Sequence, residues 1–156
     1  MHTLIILIVE RAIFMLKKTI TFTNLDGESI TRDYYFNLNK AELMQIQMNS
    51  KGGLDKKLMK INNEQDVNGL LDFIREIILL SYGEKDEDGI KFVKKRNGVR
   101  LADEFEQTEA FSELYMDLIS GENAAEKFNA FIEGILPSDI QSQAKAQLAK
   151  QIEAKN

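Results

Sequence analysis

The chain has 156 residues, 44% of them hydrophobic and 29% charged, and carries a net charge of −5. That is enough for one domain burying about two thirds of its unfolded surface, and the acidic balance argues against a general nucleic-acid binder. The absence of cysteine rules out a disulfide framework, a thiolate metal site and a cysteine nucleophile, and fits a reducing compartment.

Residues 1–14, MHTLIILIVERAIF, differ in texture from the rest of the chain. The apolar run Leu4–Val9 is far shorter than the roughly 20 residues a bilayer-spanning helix needs. It also lacks the charged start and small-residue cleavage site of a signal peptide. Two readings stand: a buried strand, or a non-native extension ahead of a start at Met15. Glu10-Arg11 can be encoded by purine-rich codons close to a ribosome-binding sequence, three codons before Met15, which favours the second.

From Met15 the pattern becomes regular, and residues 15–136 read as a single globular domain. Leu16–Phe22 and Ser29–Phe36 are rich in Thr, Ile, Tyr and Phe and flank Asn24-Leu25-Asp26-Gly27. The Asp-Gly pair is a turn signal, and the whole predicts a β-hairpin with Ile20 and Phe22 on one face. Asn39 caps a predicted helix, Lys40–Met48, whose apolar set is Leu43, Met44, Ile46 and Met48. Gly52-Gly53 breaks it, and Leu54–Ile61 reads as a short helix.

The stretch Asp66–Tyr82 is the predicted centre of the fold. Val67, Leu70, Leu71, Ile74, Ile77 and Ile78 follow the i, i+3, i+4, i+7 spacing of a buried helical face, widened by Phe73 and Leu80. Asp66 serves as N-cap, and Gly83 stands where a left-handed C-cap residue belongs.

Beyond Gly83 an acidic turn, Glu84 to Gly89, precedes the basic stretch Lys91–Arg100. Asn97-Gly98 is a hairpin-turn dipeptide, so a loop or small hairpin carrying Phe92 and Val93 toward the core is expected. Thr108 caps a predicted helix, Glu109–Ile119, with Phe111, Leu114, Tyr115 and Leu118 on one face. Glu122–Ile135 is another, using Ala125, Phe128, Phe131, Ile132 and Ile135. Pro137-Ser138 opens a last amphipathic helix, Asp139–Ala154, within residues 137–156. The fold class is therefore α+β and predominantly helical, an N-terminal β-hairpin packed on a small bundle of four to six helices.

No motif here carries a reaction. Glu84, Asp86 and Asp88 occupy calcium-loop positions one, three and five. Lys95 stands where the bidentate glutamate is required, so a solvated turn is the reading. Lys91, Lys94, Lys95, Arg96 and Arg100 form a basic patch beside acidic residues that cancel much of its field, which reads as an exposed hairpin kept soluble by charge. The sole histidine is His2. Neither a phosphate loop nor a Gly-x-Ser-x-Gly elbow occurs. No catalytic residue, metal site or cofactor is assigned. In the last helix, Ile140, Ala144, Leu148 and Ile152 recur every four residues. Such a narrow stripe fits either a terminal helix packed on its own domain or an anchor for a partner or second copy.

The segments MLKKTITFTNLDGESITRDYYFNLNKAELM, ILLSYGEK and LADEFEQTEAFSELYMDL, with the later Gly134–Pro137 (GILP), resemble tail assembly chaperones of long-tailed, siphovirus-type phages of Gram-positive bacteria. The resemblance spans about residues 15–119, and the remaining helices are similar. It implies a non-enzymatic helper that binds the tape measure protein and helps recruit tail-tube subunits, in the cytoplasm of an infected or lysogenic host. Neither nucleic acid nor membrane is an expected partner. The expected contact residues are Ile140, Ala144, Leu148, Ile152, Phe111 and Tyr115. A minor structural component retained in the virion is the other reading. The resemblance further implies a longer companion form made by −1 ribosomal slippage, and Ala154-Lys155-Asn156 can be encoded by an A-rich slippery run.

Overall fold

The computed structural model describes residues 15–137. The first two strands, β1 (Leu16–Thr23) and β2 (Ser29–Phe36), pair antiparallel from Leu16 opposite Phe36 to Thr23 opposite Ser29. Asn24 holds the turn: its Oδ1 accepts the amides of Asp26 and Glu28 at 3.0 and 2.8 Å. Gly27 supplies a φ of 83° there, which a residue without Cβ adopts freely.

Three helices come next: α1 (Lys40–Asn49), α2 (Gly53–Asn63) and α3 (Val67–Ser81). Two short strands, β3 (Tyr82–Lys85) and β4 (Phe92–Val93), then extend the hairpin into a four-stranded antiparallel sheet ordered β1-β2-β3-β4. A separate ribbon, β5 (Lys95–Arg96) and β6 (Val99–Arg100), turns through Asn97 and Gly98, whose φ angles are 53° and 80°. The described chain closes with α4 (Leu101–Glu106), α5 (Glu109–Ile119) and α6 (Ala124–Ile135). The α+β class and the hairpin packed on a helical bundle stand as expected.

The core forms where the inner sheet face meets α3–α6. Phe36, Phe131, Ile78 and Leu118 are almost wholly buried. Tyr82 and Phe105 stack with centroids 4.1 Å apart, and Phe36 lies edge-on to Phe105 and Phe131. Ser81, the one buried polar residue among those described, donates its hydroxyl to the carbonyls of Ile77 and Ile78, so it carries no unsatisfied group into the core.

Several local expectations need correction. Gly83 is not a left-handed C-cap: Tyr82 caps α3 in extended backbone, and Gly83 lies buried in β3, paired with Tyr35. Its glycine serves close approach instead, because a Cβ there would sit 2.5 Å from the Phe92 ring and 2.8 Å from the Val93 carbonyl oxygen. Phe92 and Val93 belong to the main sheet and are half-buried, while the Asn97-Gly98 hairpin is a separate ribbon. Helix α4, which falls in the stretch left between the basic patch and Thr108, buries Leu101, Ala102 and Phe105. Ala125, placed on the apolar face of α6, is exposed. At the start of α3, Val67 is 66% and Leu70 39% exposed, although both lie on the face that buries Ile74 and Ile77. The apolar stripe outruns its cover.

Candidate functional site

Three helices of unequal anchorage frame a groove. Helix α3 is its floor, fixed by Asp66, whose side chain caps Gly69 N, and by the core contacts of Phe73, Ile74, Ile77 and Ile78. Helix α1 starts at a capping box: Asn39 Oδ1 accepts from Glu42 N at 2.8 Å, and Glu42 Oε1 accepts from Asn39 N at 3.0 Å. Reciprocal caps of this kind satisfy two of the amides a helix start leaves free.

Lys94 ties that start to the rest of the fold. Its Nζ donates to the Asn37 carbonyl at 2.9 Å, the Leu80 carbonyl at 2.8 Å and Glu42 Oε2 at 2.5 Å. Burial lowers the ammonium's pKa below the ordinary lysine value, opposed by the hydrogen bond and charge of Glu42. One residue therefore joins the end of β2, the end of α3 and the first turn of α1. In the sequence it looked like one more charge in a basic patch. The patch itself is largely neutralised, with Arg96 on Glu84 at 3.1 Å and Arg100 facing Asp103 at 4.0 Å.

At its other end α1 reverses through Gly52 and Gly53, with φ angles of 80° and 89°. Gln47 Oε1 then accepts the Leu54 amide at 2.8 Å and starts α2. The two helices and α3 leave between them a cavity of about 260 Å³, walled on its apolar side by Leu38, Ile46, Leu54, Phe73, Ile77 and Leu80. Glu42, Gln45, Asn49, Lys57 and Glu76 form the polar rim. Lys57 both pairs with Glu76 at 3.7 Å and lies over the Phe73 ring. Such a lining suits apolar side chains entering between polar edges, the usual geometry of a site that receives an amphipathic helix.

The outer surfaces are also apolar in places. Met44 and Met48, four residues apart on α1, are 61% and 75% exposed, and Met59 and Met116 project likewise. Methionine's unbranched, polarizable side chain adapts to partners of varied shape. Of the expected contact residues, Phe111 is buried, stacked on Tyr115 and edge-on to Phe105. Tyr115 is half-buried, with its hydroxyl 3.5 Å from the Leu71 carbonyl. Ile140, Ala144, Leu148 and Ile152 lie outside the described residues. The groove itself was not foreseen, because it depends on how three helices diverge.

In the acidic turn, Asp86 Oδ1 accepts the Ile90 amide at 2.9 Å and so serves the turn itself. Among the described residues no group of three or more His, Asp or Glu could hold a metal ion, and no helix is long and apolar enough to cross a membrane.

Comparison with known proteins gives one clear match. The model of the phage tail assembly chaperone family matches residues 15–156. No curated protein and no solved structure matches the chain. A match over that much of the sequence places it: the chain belongs to the phage tail assembly chaperone family.

Proposed function

We propose that this chaperone binds the tape measure protein of its phage and keeps that protein's amphipathic helices covered until the tail tube encloses them, helping to bring tube subunits to it. The observation that carries the reading is the family match over residues 15–156. The groove between α1, α2 and α3 supplies a receptor of fitting chemistry. A long helical chain exposes apolar stripes that would otherwise associate. An acidic partner with an apolar groove and exposed methionines can cover them reversibly. The role is a non-catalytic one, exercised in the cytoplasm of the bacterial host, and the phages in question are long-tailed ones of Gram-positive bacteria.

Co-purification of the full chain with helical segments of the tape measure protein tests this. Asn49→Trp places a large ring at the exposed rim of the groove without touching the core. It is expected to weaken the complex about tenfold, or roughly 1.4 kcal/mol. Normal binding by that variant would move the contact to another surface, such as that around Tyr115. Absence of binding by the wild-type chain would refute the reading. Recovery of the chain in purified virions at fixed copy number would favour a structural component of the tail.

A further inference from the structure

We propose that this chain associates head to tail with itself: the Leu25 turn of one copy enters the groove between α1, α2 and α3 of the next. Leu25 is 96% exposed, yet the backbone that carries it is fixed. Asn24 Oδ1 accepts the amides of Asp26 and Glu28. The Asn24 amide donates to the Glu28 carbonyl at 2.9 Å, and the Gly27 amide donates to the Asn24 carbonyl at 3.1 Å. A lone exposed leucine is ordinary, but one held out on a rigid turn can dock with little further ordering cost. Phe22 and Ile30, paired across the strands just behind the turn, are half-buried and widen the apolar tip.

The groove matches that tip in size and in charge. Its cavity of about 260 Å³ is walled by Ile46, Leu54, Phe73, Ile77 and Leu80. A dry cavity of about 150 Å³ already holds a benzene ring, so a leucine side chain fits with room beside it. The turn Asn24–Glu28 carries two acids, Asp26 and Glu28, and no base. The facing wall α2 carries Lys56, Lys57 and Lys60 against Asp55 alone. Of the acids on the rim, Glu42 lies on Lys94 and Glu76 on Lys57. An acidic turn thus meets a basic wall, an arrangement that steers and orients docking. Leu25 does not reach the groove of its own chain. The β1–β2 ladder is paired along its whole length, which sets Ser29 about 23 Å from Phe36 at 3.3 Å per residue. Leu38 opens the groove beyond Phe36. The contact joins two different patches, so each docked copy still offers one turn and one groove, and association can continue past a dimer. The inference needs no client and does not rest on the function proposed above. That a client helix would compete with the next copy for the groove is a consequence which does rest on it.

Sedimentation velocity of the full chain over a range of concentrations tests this. A contact built on one turn is small, so the association is weak and shows at high concentration. The average mass of the wild type should rise with concentration and pass that of a dimer. Leu25→Asp spoils the turn, and Asn49→Trp crowds the rim of the groove. Each alone should lower the association constant at least about tenfold. Both positions are exposed, so circular dichroism should stay that of the wild type, and Gln45→Trp at the same rim serves as a second groove variant. An equimolar mixture of Leu25→Asp and Asn49→Trp should form a dimer and stop there. The intact turn of the second variant meets the intact groove of the first, while the remaining turn and groove are both spoiled. A wild type that stays monomeric at the highest concentration would overturn the proposal. So would association that survives Leu25→Asp, or two monomeric variants that recover no dimer on mixing. No client is present in this experiment, so its failure would leave the tape measure reading standing.

Discussion

Replacing Lys94 by Met should cost far more than its place in an apparent surface patch implies. The substitution keeps most of the aliphatic stem and removes the ammonium, whose three bonds join Asn37, Leu80 and Glu42. The side chain is only 23% exposed. Water can therefore replace those partners incompletely, and a hydrogen bond to a charged group contributes about 1.5–3 kcal/mol net. Three such bonds would exceed about 4 kcal/mol. The ammonium's own desolvation, visible in its lowered pKa, offsets part of that. The balance is a loss of about 2–4 kcal/mol, most of it from two backbone carbonyls and a carboxylate left without their donor. Urea denaturation followed by far-ultraviolet circular dichroism measures it. The midpoint should fall while the slope stays constant, since the surface exposed on unfolding is nearly unchanged. Glu42→Gln leaves both carbonyl bonds in place and should cost distinctly less. A loss below about 0.5 kcal/mol for Lys94→Met would mean that burial of the charge cancels its bonds, and that Lys94 is not what holds α1 to the fold.

Ile74, buried in the middle of α3, should cost about 2–5 kcal/mol when cut to Ala; less than about 1 kcal/mol in chemical denaturation would displace α3 from the centre of the core. Gly83→Ala forces a methyl against the Phe92 ring and the Val93 carbonyl, and should destabilise by about 1–3 kcal/mol through overpacking, where a neutral result would show that β4 can move away. Burial above all, with the charges of Glu84, Tyr34 and Glu104, pushes the Tyr82 hydroxyl up to about 12 from an ordinary 10. The raised folded value means that its stabilisation is whole below about pH 10 and lost as pH rises toward about 12. Tyr82→Phe should therefore lose less stability than wild type across that window, and parallel pH curves would exclude the effect. Amide hydrogen exchange should be faster through α1 and α2 than through residues 73–78 of α3, and equal protection would contradict the packing.

The elements that could be read from the sequence are those whose evidence is local. Alternation and an Asp-Gly turn are enough for β1 and β2, and Thr108 with a four-residue apolar face is enough for α5, because caps and periodicity act within a few residues. Strand β3 was hidden because Tyr82–Lys85 is short and half-charged, and its existence depends on pairing with β2, far away in sequence. The six residues of α4 are too few for a period to show. Gly83 looked like a cap because glycine's commonest use is conformational, while here the requirement is space beside Phe92. Lys94 is the sharpest case for the site. Its neighbours Lys91, Lys95 and Arg96 are exposed, and only the folded chain brings Asn37 and Glu42 to its ammonium.

The start of α3 shows a different limit. Periodicity established correctly which face of the helix is apolar, yet not how far the cover extends along it. Val67 and Leu70 fall on the buried face by phase and outside the core by position. The cover is thin on that side for a physical reason. Among its described residues α1 fully buries only Leu43, and α2 places Leu54, Leu58 and Ile61 no deeper than half-buried. Sheet, α4, α5 and α6 instead close over Phe36, Phe105 and Phe131. Apolar area removed from water contributes about 25 cal/mol per Å², so the α1–α2 pair is held by much less than the body of the domain. Segments with few buried contacts open at lower free energy than the global fold. A groove with a rigid floor and two lightly held walls can admit helices of differing girth and release them again. The function proposed above, in which a client is held and then given up to the growing tail, would need that combination. The same weakness makes the Lys94 bonds consequential, since they fix the wall at the one end where the groove meets the core.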